Sequence, residues 1–194
     1  MTGDVAVPGD VDRIVSDCVE SFGRLDVLVN NAGVGAVAPS AELSYEQWQQ
    51  TLAVNLTGPF LSSQAAYPHL AQGGGVIVNV ASIFAEVGIP ERAAYAASKH
   101  GLLGLTRVLA SEWARDGIRV VAVEPAYVKT DLDERDREAA GYTDQDIAGR
   151  TPLGRFGRPE EIAAVVDFLA TDDASYITGS AIAIDGGWLA YGGW

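Results

Sequence analysis

The chain has 194 residues, 48% of them hydrophobic and 20% charged, with a net charge of −13. That length suits a single domain with a sizeable core, and the composition is that of a globular protein, not a disordered one. So acidic a surface repels phosphate backbones and anionic lipid, which argues against nucleic-acid and membrane-surface partners. Cys18 is the only cysteine, so no intrachain disulfide can form. Its neighbours Val15, Val19 and Phe22 in a helical pattern make it a small buried or half-buried hydrophobe. The opening MTGDVAVPGD has neither the basic region nor the apolar region of a signal peptide, and no apolar run approaches the roughly 20 residues that span a bilayer. A reducing, cytoplasmic setting is expected.

Apolar strands alternate with helical patterns along the whole chain. Asp10 or Asp12 is expected to cap a helix that ends at Phe22, where Gly23 stops it. Residues 25–29 read as a strand. Ser44 and Gln47 form a capping box for a long helix over 44–70, and Gly73, Gly74 and Gly75 break the chain after it. Residues 76–80 are a second strand. A helix over 92–113 stops at Asp116-Gly117. Residues 118–123 are a third strand, ended by Pro125. The polar stretch 130–150 reads as a flap or loose helices over a site. Pro159, Glu160 and Glu161 start a last helix, whose Ile162, Val165, Val166 and Leu169 form one apolar stripe. Residues 181–184 are the final strand. Strand–helix–strand order with largely apolar strands implies an α/β domain built on a parallel sheet covered on both faces. No repeat or linker divides residues 1–194.

Three residues carry the chemistry. Ser82 lies just past the C-terminal end of the 76–80 strand, where ligands bind in open α/β sheets. Tyr95 and Lys99 are four apart in a helical pattern, so their side chains share a face. A free tyrosine has a pKa of about 10. An ammonium group beside it stabilises the phenolate and brings it toward use as a general base or acid near neutral pH. Ser82 is placed to hydrogen-bond the same substrate oxygen. Taken alone, the Tyr–Lys spacing also fits an ordinary solvated helix face. His69 and His100 pair with no nucleophile and read as surface or packing residues. No His/Cys/Asp/Glu cluster has metal-ligand spacing.

The wording around these residues resembles the short-chain dehydrogenase/reductase family from Asp4 to Gly187. Tyr95-Ala96-Ala97-Ser98-Lys99 matches its Y-x-x-x-K motif, and Ser82 stands thirteen positions before Tyr95 as the family's catalytic serine does. Asn30-Asn31-Ala32-Gly33 matches N-N-A-G. Asn55 stands where the family has an asparagine that supports a water relay to the lysine; as a residue it also fits a helix kink. Asp4-Val5 matches an acidic pair near the adenine. The segment from Pro125 through Val128 to Thr130 resembles P-G-x-[VI]-x-T along the nicotinamide. Arg158-Pro159-Glu160-Glu161, Tyr176-Ile177-Thr178-Gly179 and Asp185-Gly186-Gly187 resemble the C-terminal signature, the last of these expected to serve packing and assembly. The resemblance implies an NAD- or NADP-dependent oxidoreductase acting on a secondary alcohol or ketone of sugar, polyol or 3-oxoacyl type. It implies Tyr95 as acid/base, Lys99 as its activator and ribose ligand, Ser82 as orienter and Asn55 as relay. Asp4, Val5, Asn31, Ala32 and Gly33 then belong to the cofactor site, with Pro125, Val128 and Thr130. Ile83, Phe84, Glu86 and residues 127–150 are expected to choose the substrate. The family's usual dimer or tetramer implies a homo-oligomer formed through the helices over 44–70 and 92–113.

Two features depart from the family. The glycine-rich turn T-G-x-x-x-G-x-G, whose backbone N–H groups receive the pyrophosphate, is not in this sequence. The expected fold is thus a Rossmann-type doubly wound parallel sheet without its first two strands and helices, with a remnant of the third strand at residues 2–5. In the 3-2-1-4-5-6 order the strand at 25–30 is left as an open edge. This opens a second reading, a truncated, catalytically inactive remnant that only oligomerises. Ala126 replaces the usual glycine after Pro125, a strain if that backbone needs positive φ.

Overall fold

A computed structural model describes residues 2–130 and 141–192. Its sheet has four parallel strands in chain order: β1 (Val27–Asn30), β2 (Gly75–Val80), β3 (Ile118–Pro125) and β4 (Ala181–Ile184). The helices are α1 (Pro8–Phe22), α2 (Tyr45–Leu52), α3 (Gly58–Leu70), α4 (Ala93–Trp113), α5 (Asp144–Arg150) and α6 (Pro159–Ala170). Successive side chains of a strand point to opposite faces, and the two faces carry separate cores. Ile77 and Val120 pack with Ala66 and Leu70 of α3 and Leu109 and Ala110 of α4. On the other face Val76, Val78, Val121 and Val123 pack against Leu169 of α6. Burying both faces explains why β2 and β3 read as continuous apolar runs. No helix among the described residues is long and apolar enough to cross a membrane.

Several expected boundaries move, each for a local reason. Neither Asp10 nor Asp12 caps α1. The helix starts at Pro8, whose fixed φ suits a first helical position, after Val7, which makes no side-chain cap. Asp10 instead accepts from the Asp4 N–H at 2.9 Å and pairs with Arg13 at 2.8 Å. Gly23 closes α1 in the left-handed region at φ 77°. Residues 2–5 form no strand; Val7 N–H closes a turn on the Asp4 carbonyl.

The Ser44–Gln47 capping box is present, but the long helix expected behind it is broken by a π-helical turn over Ala53–Thr57. Pro59 has no N–H, so the Asn55 carbonyl has no donor four residues on. The Gly58 N–H bonds the Ala53 carbonyl five residues back instead.

Among the described residues β1 pairs only with β2, as expected of an open edge. Val27 and Val29 point to the face covered elsewhere by α6, which stops short of them, so they stand 36% and 41% exposed. After β3, Lys129 is tied to Asp144 at 2.7 Å and Thr143 caps α5. The remainder of the expected flap, residues 131–140, lies outside the described residues.

Candidate active site

β2 ends at Val80, and the chain leaves the sheet through Ala81 and Ser82 into a 3-10 turn over Ile83–Ala85. Ser82 is buried. Its Oγ accepts the Phe84 N–H at 3.2 Å, which leaves the hydroxyl proton to be donated outward. α4 runs past this point and carries Tyr95 and Lys99 on adjacent turns. Lys99 is 4% exposed and donates from Nζ to the Val80 carbonyl at 2.7 Å. Its Nζ lies 5.6 Å from the centre of the Tyr95 ring. Burial pulls the Lys99 ammonium down from 10.5 to about 8. An ammonium has three donors, so two remain after the Val80 bond.

A cavity of about 510 Å³ opens here at the C-terminal end of the sheet. Ser82, Tyr95 and Lys99 line it together with Asn31 and Gly33; Pro125, Val128 and Thr130 line it as well. A Cβ on Gly33 would sit 3.7 Å from Asn55 Oδ1 and 3.9 Å from Lys99 Nζ. Glycine thus keeps the approach to the ammonium open. Ala126 also lines the cavity and carries no positive φ; among the described non-glycine residues only Glu91 does, at 65°. The feared strain after Pro125 does not arise.

Asn55 lies under the cavity, not in its wall. It is fully buried on the π-helical turn. Its Oδ1 accepts the Val34 N–H at 2.9 Å, and its Nδ2 donates to the Val34 carbonyl at 2.8 Å and to Ser98 Oγ at 3.2 Å. The side chain therefore clamps the loop after β1 to α4. Ala32 and Val5 line a second cavity of about 160 Å³, which shares Val29 and Asn31 with the first. Asp4 lines neither; its Oδ1 accepts the Ala6 N–H at 2.8 Å.

The residues expected to choose the substrate divide. Phe84, Tyr127 and Tyr142 line the larger cavity. Ile83 is instead fully buried in the core and Glu86 is exposed, and neither lines it. Along a 3-10 turn successive side chains diverge by about a third of a turn, so Phe84 faces the cavity while Ile83 turns into the core. Sequence reasoning passed over Arg92, a buried residue of the cavity wall. It quoted Asn30 only within the N-N-A-G motif and gave Asn79 no role. Asn30 Nδ2 donates to Asn79 Oδ1 at 2.8 Å, and Asn79 Nδ2 to Thr106 Oγ1 at 2.9 Å. This buried chain links β1, β2 and α4 behind the site. Asn30 within the N-N-A-G motif and a second asparagine near the end of the next strand were its sequence signal.

A sequence profile described as Enoyl-(Acyl carrier protein) reductase matches residues 1–189. The D-threitol dehydrogenase of Mycolicibacterium smegmatis is 43% identical over 186 residues, 95% of this chain and 71% of that one. The chain belongs to the short-chain dehydrogenase/reductase family. The 3-oxoacyl-[acyl-carrier-protein] reductase of Thermotoga maritima, another similar short-chain enzyme, is 44% identical over 91% of this chain and 71% of its own length. An uncharacterised short-chain type dehydrogenase/reductase of Sinorhizobium fredii is 46% identical, but the chain spans only 34% of it. Among solved structures, a gluconate 5-dehydrogenase from Burkholderia cenocepacia in complex with NADP and tartrate superposes with a TM-score of 0.92. It is 32% identical, over 97% of this chain and 74% of that one.

Proposed function

We propose that this short-chain dehydrogenase/reductase transfers a hydride reversibly between NAD or NADP and a secondary alcohol or ketone. The observation that carries the reading is Lys99, a buried ammonium beside Tyr95 in the cavity that Ser82 also lines. The donor set fits the nicotinamide–ribose half of the cofactor, because Lys99 keeps two donors and Gly33 leaves the space beside them open. Asn31, Gly33, Pro125, Val128 and Thr130 would hold that half. Val5 and Ala32, in the smaller cavity, would hold the remainder, with Asp4 preceding Val5 in the chain. When bound, the nicotinamide supplies the hydride chemistry.

The chain's own residues manage the proton. Tyr95 Oη takes the alcohol proton in oxidation and returns it in reduction. The Lys99 charge favours the phenolate over the phenol. Ser82 donates its hydroxyl proton to the substrate oxygen, which its bond from Phe84 orients. Asn55 fixes the loop and α4 relative to each other, and its carbonyl, without an α-helical donor, is suited to hold a relay water.

Tyr95→Phe tests this reading. Hydride transfer followed by nicotinamide absorbance should fall by about a hundredfold to ten-thousandfold while circular dichroism stays unchanged. Undiminished turnover would refute it. A homo-oligomer is proposed through α2–α3 and α4, supported by the exposed Phe60 and Val108 on those helices. Light scattering at monomer mass would sink it. A cytoplasmic setting completes the proposal.

A further inference from the structure

The part of the large cavity beyond the acid/base is walled by aromatic rings. Phe84, next but one to Ser82, stands edge-on to the Tyr95 ring at 6.4 Å between centroids. Its other neighbour is Tyr127, at 6.0 Å and 85°. Tyr127 in turn meets Tyr142 at 5.5 Å and 78°. Behind Tyr127 lie Phe156 at 6.3 Å and Trp188 at 5.1 Å, and the Arg150 guanidinium lies over Trp188 at 4.7 Å. Phe84, Tyr127 and Tyr142 line the cavity, whereas Phe156 and Trp188 back the wall from outside it. Rings mostly set nearly perpendicular to one another and braced from behind make a fixed aromatic corner, apolar apart from the tyrosine hydroxyls. The corner begins at the ring of the acid/base itself.

The described charges in the wall of this cavity are the nearly buried cations Lys99 and Arg92. Among the described residues no carboxylate lines it. Lys99 is committed to Val80 and the cofactor side, and Arg92 is only 5% exposed. A polyol brought against aromatic faces needs a hydrogen-bond partner for each hydroxyl it buries. A carbocycle needs only contact with the corner.

We infer that the wall of Phe84, Tyr127 and Tyr142 selects an uncharged secondary alcohol or ketone carried on an apolar ring, in preference to a polyol or an acyl thioester. The inference rests on the hydride-transfer reading for its reacting group, but the wall itself binds the carbon skeleton and is testable without turnover.

The experiment compares cyclohexanol, meso-erythritol and an acetoacetyl thioester as substrates with NAD and NADP. In parallel, saturation-transfer NMR measures binding of cyclohexanone. Both are run on the wild-type chain and on Phe84→Ala, with Tyr142→Ala as the second variant if the first does not fold. The wild type should favour cyclohexanol over erythritol by at least about tenfold in kcat/KM, and Phe84→Ala should cut that preference about tenfold. Cyclohexanone should show saturation transfer that the variant loses. If erythritol or the thioester is preferred, or the variant leaves the preference intact, the inference is overturned and hydride transfer stands. If cyclohexanone binds only with Phe84 present while no compound is turned over, the wall stands and the hydride-transfer reading falls. Neither binding nor turnover of the ring compounds overturns the inference.

Discussion

Lys99→Met should stabilise the fold while abolishing turnover. The lowering of the Lys99 pKa by burial from 10.5 to about 8 means that holding the charge at neutral pH costs about 3 kcal/mol. Methionine fills a similar volume without the charge. Against this gain, the Val80 carbonyl loses the donor it has at 2.7 Å, which returns roughly 1–3 kcal/mol. The expected net gain at pH 7 is about 1 kcal/mol. Its pH dependence is more diagnostic than its size. The folded pKa lies below the unfolded one, so the penalty is fully present below about pH 8 and is relieved as pH rises toward 10.5. Wild-type stability should therefore climb across that window relative to the variant, and the variant's advantage should vanish and reverse. Urea unfolding followed by circular dichroism at pH 7 and pH 10 measures both differences. A stability difference that is the same at the two pH values would refute the buried, charged lysine.

Three further perturbations have defined outcomes. Asn55→Ala removes the fully buried side chain that holds the part-buried Val34 N–H and carbonyl, and urea unfolding should show a loss of about 1–3 kcal/mol. Glu124 is buried on β3, with no hydrogen-bond partner for Oε1 among the described residues. Burial first, then the Glu86 charge, pushes its carboxyl up from 4.5 to about 7. The folded state holds that proton more tightly, so this group's contribution to stability is greatest below pH 4.5 and is lost as pH rises through 7. Glu124→Gln should consequently gain on the wild type between pH 4.5 and 7 and hold that gain at pH 8. Thermal melts at these values decide, and a flat difference counts against the buried carboxyl. Gly186→Ala would place a Cβ 2.8 Å from Thr151 Cγ2 at a φ of 61°. It should cost about 1–3 kcal/mol in urea unfolding, and a neutral result would mean that this turn shifts freely.

The interiors of elements were legible in the sequence because strand and helix periods leave a mark on every residue. The apolar runs of β2 and β3 and the stripe of α6 specify a two-faced parallel sheet. The Ser44–Gln47 pair marks the start of α2. Ser82, Tyr95 and Lys99 were legible because their spacing and neighbours repeat a known family's motifs. Starts without a side-chain cap were not. Asp10 and Asp12 outrank Val7 as caps by residue type, yet Pro8 set the start of α1 through backbone geometry alone.

Tertiary structure decided the rest, because those properties belong to pairs of residues distant in the chain. Lys99 has its shifted pKa only because the end of β2 and the walls of the cavity exclude water from it. Asn55 acts as a clamp only because a π-helical turn swings it against Val34, and Ala126 is unstrained because its loop never enters positive φ. Phe84 and Tyr127, 43 positions apart in the chain, face the same cavity from the ends of adjacent strands. The sequence by itself determined the sheet, the interiors of the helices and the spacing of Ser82, Tyr95 and Lys99. Only packing could determine which side chains close the cavity around them, since contact between remote residues leaves no periodic trace along the chain.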